Sequence, residues 1–290
     1  MNKRNIAISL IVILIILFIT LTIFTILDLN NNPNIIKYML STGTSDKLAI
    51  TKSYNNDFEI IKINSSGADI NIKHIDSDEF IVNIYGDKKE VKVNGKDNKL
   101  NIDINKKNFI NKDIYKIVIY VPFDYDKYVF IDNEYGDINI STFNNTNFEI
   151  DLDYGNIYVD SSNRLDIKTE LGDIYIGNSN YIDINSSISR IDIDEVNDIA
   201  IDNNIGNIII KKVNNYIDIN NNVGDIKIDK IDIRDDSKIE LNVGNIDINY
   251  LNKVDTHNII GNITDNKKAQ KGNYKFIVEN KVGNIKIKHS

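Results

Sequence analysis

Tyr216-Ile217-Asp218-Ile219-Asn220-Asn221-Asn222-Val223-Gly224-Asp225-Ile226-Lys227-Ile228 holds two alternating runs that cannot belong to one flat strand. Ile217, Ile219 and Val223 share one phase, whereas Ile226 and Ile228 share the opposite one. Side chains of a strand alternate between faces, so the odd step from Val223 to Ile226 would throw the second pair onto the wrong side. The chain must turn a corner at Gly224. Glycine tolerates positive φ and Asn or Asp is the next most permissive residue, which gives the Gly-[Asp/Asn] pair a backbone role.

The same unit recurs along the chain. Gly-[Asp/Asn]-Ile-x-[Ile/Val], preceded by an apolar residue or Tyr, starts at Gly136, Gly155, Gly172, Gly206, Gly224, Gly244, Gly261 and Gly283, and in degenerate form at Ser189. Successive spacings are 19, 17, 17, 17, 18, 20, 17 and 22 residues. The residue two after the corner is Ile in every copy: Ile138, Ile157, Ile174, Ile191, Ile208, Ile226, Ile246, Ile263 and Ile285.

Each copy is two short strands joined by a corner, and its single apolar face can be buried only by stacking on other copies. Stacking equivalent strands makes them parallel, so the expected fold is all-β: a right-handed parallel β-solenoid over 129–290. At about 4.8 Å per layer, nine layers make roughly 40 Å. An antiparallel meander or barrel would need hairpins every 8–12 residues and leaves the fixed odd-phase corner unexplained.

Two residues before the apolar corner position lie Asn133, Leu152, Thr169, Ser186, Asn203, Asn221, Leu241, Asn258 and Asn280. They share the inward phase, yet most are polar. Either a second corner or a hydrogen-bonded polar ladder is expected there. Residues 48–128 are strand-like but less regular and read as a sheet-rich cap, with hairpins expected at Gly86-Asp87-Lys88-Lys89 and Asn94-Gly95-Lys96-Asp97-Asn98. Ile285-Lys286-Ile287-Lys288 is expected to form the other end, its lysines discouraging edge pairing.

Ahead of this region, residues 6–27 carry no charge and are almost wholly aliphatic. As a helix they would rise about 33 Å, enough for a hydrocarbon core of about 30 Å. No small-x-small cleavage site follows, so an uncleaved signal anchor is expected rather than a removed signal. Lys3 and Arg4 place residues 1–5 in the cytoplasm by the positive-inside tendency, leaving the C-terminal domain extracytoplasmic. Residues 28–47, Asn-rich and containing Pro33 and Gly43, read as a linker.

The chain of 290 residues has a net charge of −8, or −10 once Lys3 and Arg4 are set aside. An acidic surface does not attract nucleic acid. With no Cys, disulfides, thiolate metal sites and cysteine nucleophiles are excluded.

Ile119-Tyr120-Val121-Pro122, Tyr128-Val129-Phe130-Ile131 and Glu134-Tyr135-Gly136-Asp137-Ile138-Asn139-Ile140, followed by the Gly-Asp-Ile-x-Ile units, resemble the bacterial putative-adhesin β-repeat family. The resemblance covers about residues 50–288. It implies an envelope-tethered repeat protein of unknown function, some relatives of which accompany envelope-stress signalling genes, and it supplies no catalytic residues. Ser189-Arg190 and Asp265 depart from the pattern, so distorted rungs are expected there.

No catalytic, cofactor or metal residues are assigned. His74, His257 and His289 are far apart in sequence, whereas acid–base catalysis needs convergent groups. Asp137, Asp173 and Asp225 share the post-Gly column with Asn156, Asn207, Asn245, Asn262 and Asn284, and such oxygens could bind calcium. They read instead as solvated turn formers, since Arg190 interrupts the column. Tyr158, Tyr175 and Tyr181 stand at outward phase, where aromatics dock sugars or proteins, or simply pair across rungs. The leading expectation is a non-enzymatic, membrane-anchored binding or structural protein, contacting the bilayer through 6–27 and an envelope protein or glycan through the repeat. An accessory regulator of envelope-stress signalling and a carbohydrate-active β-helix enzyme are the alternatives.

Overall fold

The computed structural model describes residues 43–55, 57–105, 114–250, 254–265 and 274–289. The expected cytoplasmic tail (1–5), membrane segment (6–27) and most of the linker (28–47) lie outside the described residues. Among the described residues no helix is long and apolar enough to cross a membrane. The chain divides into two compact units: 1–43 with 108–113, of which only Gly43 is described, and 44–107 with 114–290, which holds every described strand.

That second unit is all-β, and its repeats stack as the aliphatic columns require. Ile157 lies beside Ile174, Ile174 beside Ile191, Ile191 beside Ile208, Ile208 beside Ile226 and Ile226 beside Ile246, all in parallel register. Eight of the nine corner-plus-two isoleucines are at most 1% exposed, and Ile263 alone is open to solvent. Each buried one stabilises the stack by about 1.5–3 kcal/mol. After its Gly corner a rung continues as one long strand, such as Ile157–Leu171, which bends midway. Ser161 and Ser162 are both buried there, and the alternation of faces restarts.

The corner needs glycine for two reasons. Gly224 has φ +141°, and a β-carbon on it would run into the carbonyl oxygen of Gly206 on the rung below. Ser189 takes its corner without a positive φ, and the neighbouring pairs Ile188–Ile205 and Ile191–Ile208 stay in register. The distortion expected at Ser189 is therefore absent from the strand pairing.

One expected inward residue faces outward. Val223 was placed with Ile217 and Ile219 by phase, yet it is 44% exposed while both isoleucines are fully buried. The backbone opens at the corner, so the side chain just before the glycine splays out of the stack.

Stacking order departs from sequence order at both ends. The strand Ser237–Val243 pairs with Phe276–Val282, and Phe276–Val282 in turn pairs with Asp255–Ile260. The Gly283 rung thus sits between the Gly244 and Gly261 rungs, and Gly261 forms the end. Ile285–Lys288 is accordingly an interior strand, not the expected edge. Composition gives the reason. Phe276, Val278, Ile285 and Ile287 are all buried, whereas the Gly261 rung sets Thr256 opposite Val278 and Asp265 opposite Ile287. A polar side chain inside a rung with two neighbours needs a hydrogen-bond partner there, whereas a terminal rung can be polar. Asp265, expected to distort its rung, marks the end of the stack.

The N-terminal end mirrors this. Ile60–Ser65 pairs with both Lys99–Ile104 and Tyr128–Tyr135, and Ala68–Ile75 pairs with both Tyr115–Pro122 and the start of the Gly136 rung. The first rung in sequence is again inserted between two later ones, so the stack extends well into the region read as a cap. Antiparallel strands finish this end: Leu48–Tyr54 on Phe80–Tyr85, Phe80–Tyr85 on Tyr115–Pro122, and Val91–Lys96 on Lys99–Ile104. The hairpin expected at 94–98 forms, with Asp97 and Asn98 at φ +54° and +56°. The one expected at 86–89 does not. Phe80–Tyr85 pairs elsewhere, and Lys88–Glu90 is a short 3-10 turn between the two sheet faces.

Candidate interaction surface

Stacking turns each sequence position into a column, and most polar columns bond along their own length. At the corner, the Asn156 N–H donates to Asp137 Oδ1 at 2.8 Å, the Asp173 N–H to Asn156 Oδ1 at 3.0 Å, and the Asp225 N–H to Asn207 Oδ1 at 2.8 Å. From Asp225 the ladder runs to Asn245, then Asn284, then Asn262, reproducing the interleaved order. These oxygens, the ones considered for calcium, accept backbone N–H groups that the corner leaves without strand partners. Among the described residues no group of three or more His, Asp or Glu is placed to hold a metal ion.

The inward polar column is a ladder over Ser186, Asn203 and Asn221, and not a second corner. Ser186 Oγ donates to Asn203 Oδ1 at 2.6 Å, and Asn203 Nδ2 donates to Asn221 Oδ1 at 3.1 Å. Asn221 Nδ2 donates to Gly206 O at 3.0 Å, and Asn280 Nδ2 to Gly244 O at 2.9 Å. The side-chain amide satisfies a half-buried glycine carbonyl at the corner of the rung below, so removing the amide would take that partner away.

Outside, Asn163, Asn180, Asn197 and Asn214 each donate an amide N–H to the Asn one rung back, starting from Asn147, at 2.8–3.1 Å. Tyr158 and Tyr175 stack with centroids 5.0 Å apart and planes 2° apart. Each ring covers one face of the other. Tyr181 lies under the Arg164 guanidinium at 4.0 Å. The three outward tyrosines are thus occupied by neighbouring rungs.

The histidines do not converge. His74 contacts the Thr142 carbonyl and stacks near Phe143, His257 is exposed on the terminal rung, and His289 Nε2 is 2.7 Å from Asp265 Oδ1. On the face before the corner, Asp132, Asp151, Asp153 and Glu170 lie close enough to interact. Burial, then Asp151, Glu170 and Asp132, hold the Asp153 carboxyl above its usual range, with Lys168 opposing them. Opposite charges pair elsewhere, as Lys212 with Glu195 at 2.5 Å, whose hydrogen bond holds Glu195 low.

The column missed by sequence reasoning is the pre-glycine one. Leu171, Ile188, Val223, Val243 and Val282 are 40–45% exposed, and Ile260 is 62% exposed. Register places these side chains, with the half-buried Ile205, on consecutive rungs. The signal was present as an aliphatic residue before each corner from Gly172 on; its outward direction was not, and Tyr135 and Tyr154 before the two earlier corners are buried.

A stack of parallel, glycine-cornered rungs defines a solenoid-like all-β repeat protein. Residues 58–288 match the Toastrack DUF4097 family, and the chain belongs to it. No curated protein matches. Among solved structures, a putative adhesin from Bacteroides fragilis is 17% identical, with 85% of this chain and 100% of that one covered and a TM-score of 0.38. A putative adhesin from Parabacteroides distasonis is also 17% identical, covering 84% and 98%, at 0.40. One from Parabacteroides merdae is 14% identical, covering 85% and 98%, at 0.33. At these values the likeness does not extend to function.

Proposed function

We propose that the chain is a non-enzymatic binding or structural protein of a bacterial cell envelope, adhesin-like in displaying a repeated surface to a protein or glycan. Residues 6–27 would hold it in the membrane, with 1–5 cytoplasmic and the repeat outside. The observation that carries this reading is the arrangement of outward groups in self-bonded ladders along the rungs. Such ladders suit extended contact, whereas catalysis needs groups aimed at one point. The uncharged 6–27 segment behind Lys3 and Arg4 supports the anchor. The acidic balance argues against nucleic acid as partner.

The test uses the full chain reconstituted in vesicles and exposed to isolated cell-wall glycan and to envelope proteins. Retention of one class, lost on replacing outward ladder residues and kept on conservative core changes, supports the reading. Hydrolysis of envelope glycan, abolished by single substitutions at Asp151 or Asp153, overturns it in favour of an enzyme. Selective crosslinking to a sensor kinase in membranes overturns it in favour of the regulatory alternative.

A further inference from the structure

The outward apolar stripe is the feature that the proposed display function leaves unused. From Leu171 to Ile260 it spans seven consecutive rungs, one apolar side chain per rung. Six steps of about 4.8 Å make it about 29 Å long. A contiguous exposed apolar strip with polar rims marks a contact surface. Its occupant is indicated by period and by charge.

Teeth repeating at the rung spacing mesh along their length with a surface of the same period, and a second copy of this chain has one. The column one residue before the stripe carries a charge gradient. It begins at Glu170, passes through the neutral Ser187, Asn204, Asn222 and Asn242 to Lys281, and ends at the exposed Ile259 on the terminal rung. Glu170, Asn204 and Lys281 are exposed, and the other three half-buried. Two stripes can meet face to face about a two-fold axis in only two ways. With the axis along the stripe the copies run parallel, and the Glu170 column meets the post-glycine column, setting Glu170 against the partner's Asp173. With the axis across the stripe, between Ile205 and Val223, the column meets itself reversed. Glu170 then faces the partner's Lys281, Ser187 faces Asn242, and Leu171, Ile188 and Ile205 face Val282, Val243 and Val223.

We propose that the stripe is a self-association surface, through which two copies pair antiparallel about an axis between Ile205 and Val223. The closed two-fold arrangement limits assembly to a dimer. A single stripe with a few charges along its rims falls in the small, reversible class of interfaces, below about 1,200 Å² in total. This pairing requires neither an anchor nor an external ligand.

The native chain has no Cys, so crosslinks report contacts directly. Full-length Ser187→Cys and Asn242→Cys proteins in detergent are oxidised separately and as a mixture. The mixture should give a disulfide-linked heterodimer, while each protein alone should not, since like positions would lie about three rungs, or 14 Å, apart. Charge reversal gives a second readout. Glu170→Lys and Lys281→Glu should each weaken association several-fold, and the double reversal should restore it. Both sites are exposed, so folding is not at stake. Crosslinking of Ser187→Cys to itself as readily as in the mixture, no crosslink in the mixture, or failure of the double reversal to rescue overturns the proposal.

Discussion

From Gly155 to Gly244 each rung rests on the one before it in the chain, whereas at both ends a terminal segment is inserted between two others. The middle and the ends share the Asx ladder and, apart from the terminal Gly261 rung, the inward isoleucines. What differs is how the outermost layer meets water. At the N-terminal end the apolar Leu100, Ile102, Ile117 and Ile119 are covered by antiparallel strands. At the other end, among the described residues, no further rung follows 255–265; the rung itself is mostly polar inside, and the apolar C-terminal rung lies beneath it. The comparison teaches that the rung is encoded locally while its place in the stack is set by what must be buried.

The largest effect should separate the two regions. Ile226→Asp buries a charge between two apolar layers and should cost several kcal/mol, enough to unfold the domain in a denaturant titration. Ile263→Asp, on the 45%-exposed terminal rung, should cost less than about 1 kcal/mol. Equal losses would break the distinction between interior and end.

Deleting residues 274–289 is next. It removes Phe276, Val278, Ile285 and Ile287 and leaves the polar Gly261 rung facing Ile239 and Ile248, so a loss on the order of 5 kcal/mol is expected. Unchanged thermal stability would mean that this rung is not interior. Gly224→Ala should cost about 1–3 kcal/mol or more, because positive φ and the Gly206 carbonyl both oppose a β-carbon. Asn221→Ala should cost about 1–3 kcal/mol by leaving the half-buried Gly206 carbonyl and the buried Asn203 amide without their Asn221 partner.

The smallest effect concerns pH. The Asp153 carboxyl is held above its usual range, so between the ordinary value and the raised one the folded chain binds the extra proton. Its contribution to stability therefore falls as pH rises through that window. Asp153→Asn should be the more stable protein at pH 7, by less than about 1 kcal/mol after solvent screening. The gap should close as pH drops below the ordinary carboxylate range, near 4. A gap independent of pH would remove the electrostatic explanation.

Most of the repeat was legible because it rests on local rules: the odd-phase step at Gly224, the permissive Asx after it, and Ile at a fixed offset. The Gly67 region hid its rung, since Ala68-Asp69-Ile70-Asn71-Ile72 keeps the motif with Ala at the glycine position. Ile70 nonetheless pairs with Ile138, and the Asp137 N–H donates to Asp69 Oδ1. Rung order was not legible, because spacing carries no information about which neighbour a rung chooses, although Asp265 and Thr256 on the Gly261 rung held the physical reason. The outward turn of Val223 was hidden as well, since alternation assumes a straight strand up to the corner. Of the surface, the Asx column could be located, but its role as backbone acceptor required the distance between rungs.

The interleaved order can be tested with two pairs of cysteines in a chain that has none. Glu240 stands beside Glu279, and Glu279 beside His257, so Glu240 and His257 are two rungs apart. Oxidation should join Glu240→Cys to Glu279→Cys within one chain and leave Glu240→Cys with His257→Cys unjoined, their separation of about 9.6 Å exceeding disulfide reach. Ready formation of the second bond and not the first would show the rungs stacked in chain order and contradict the account.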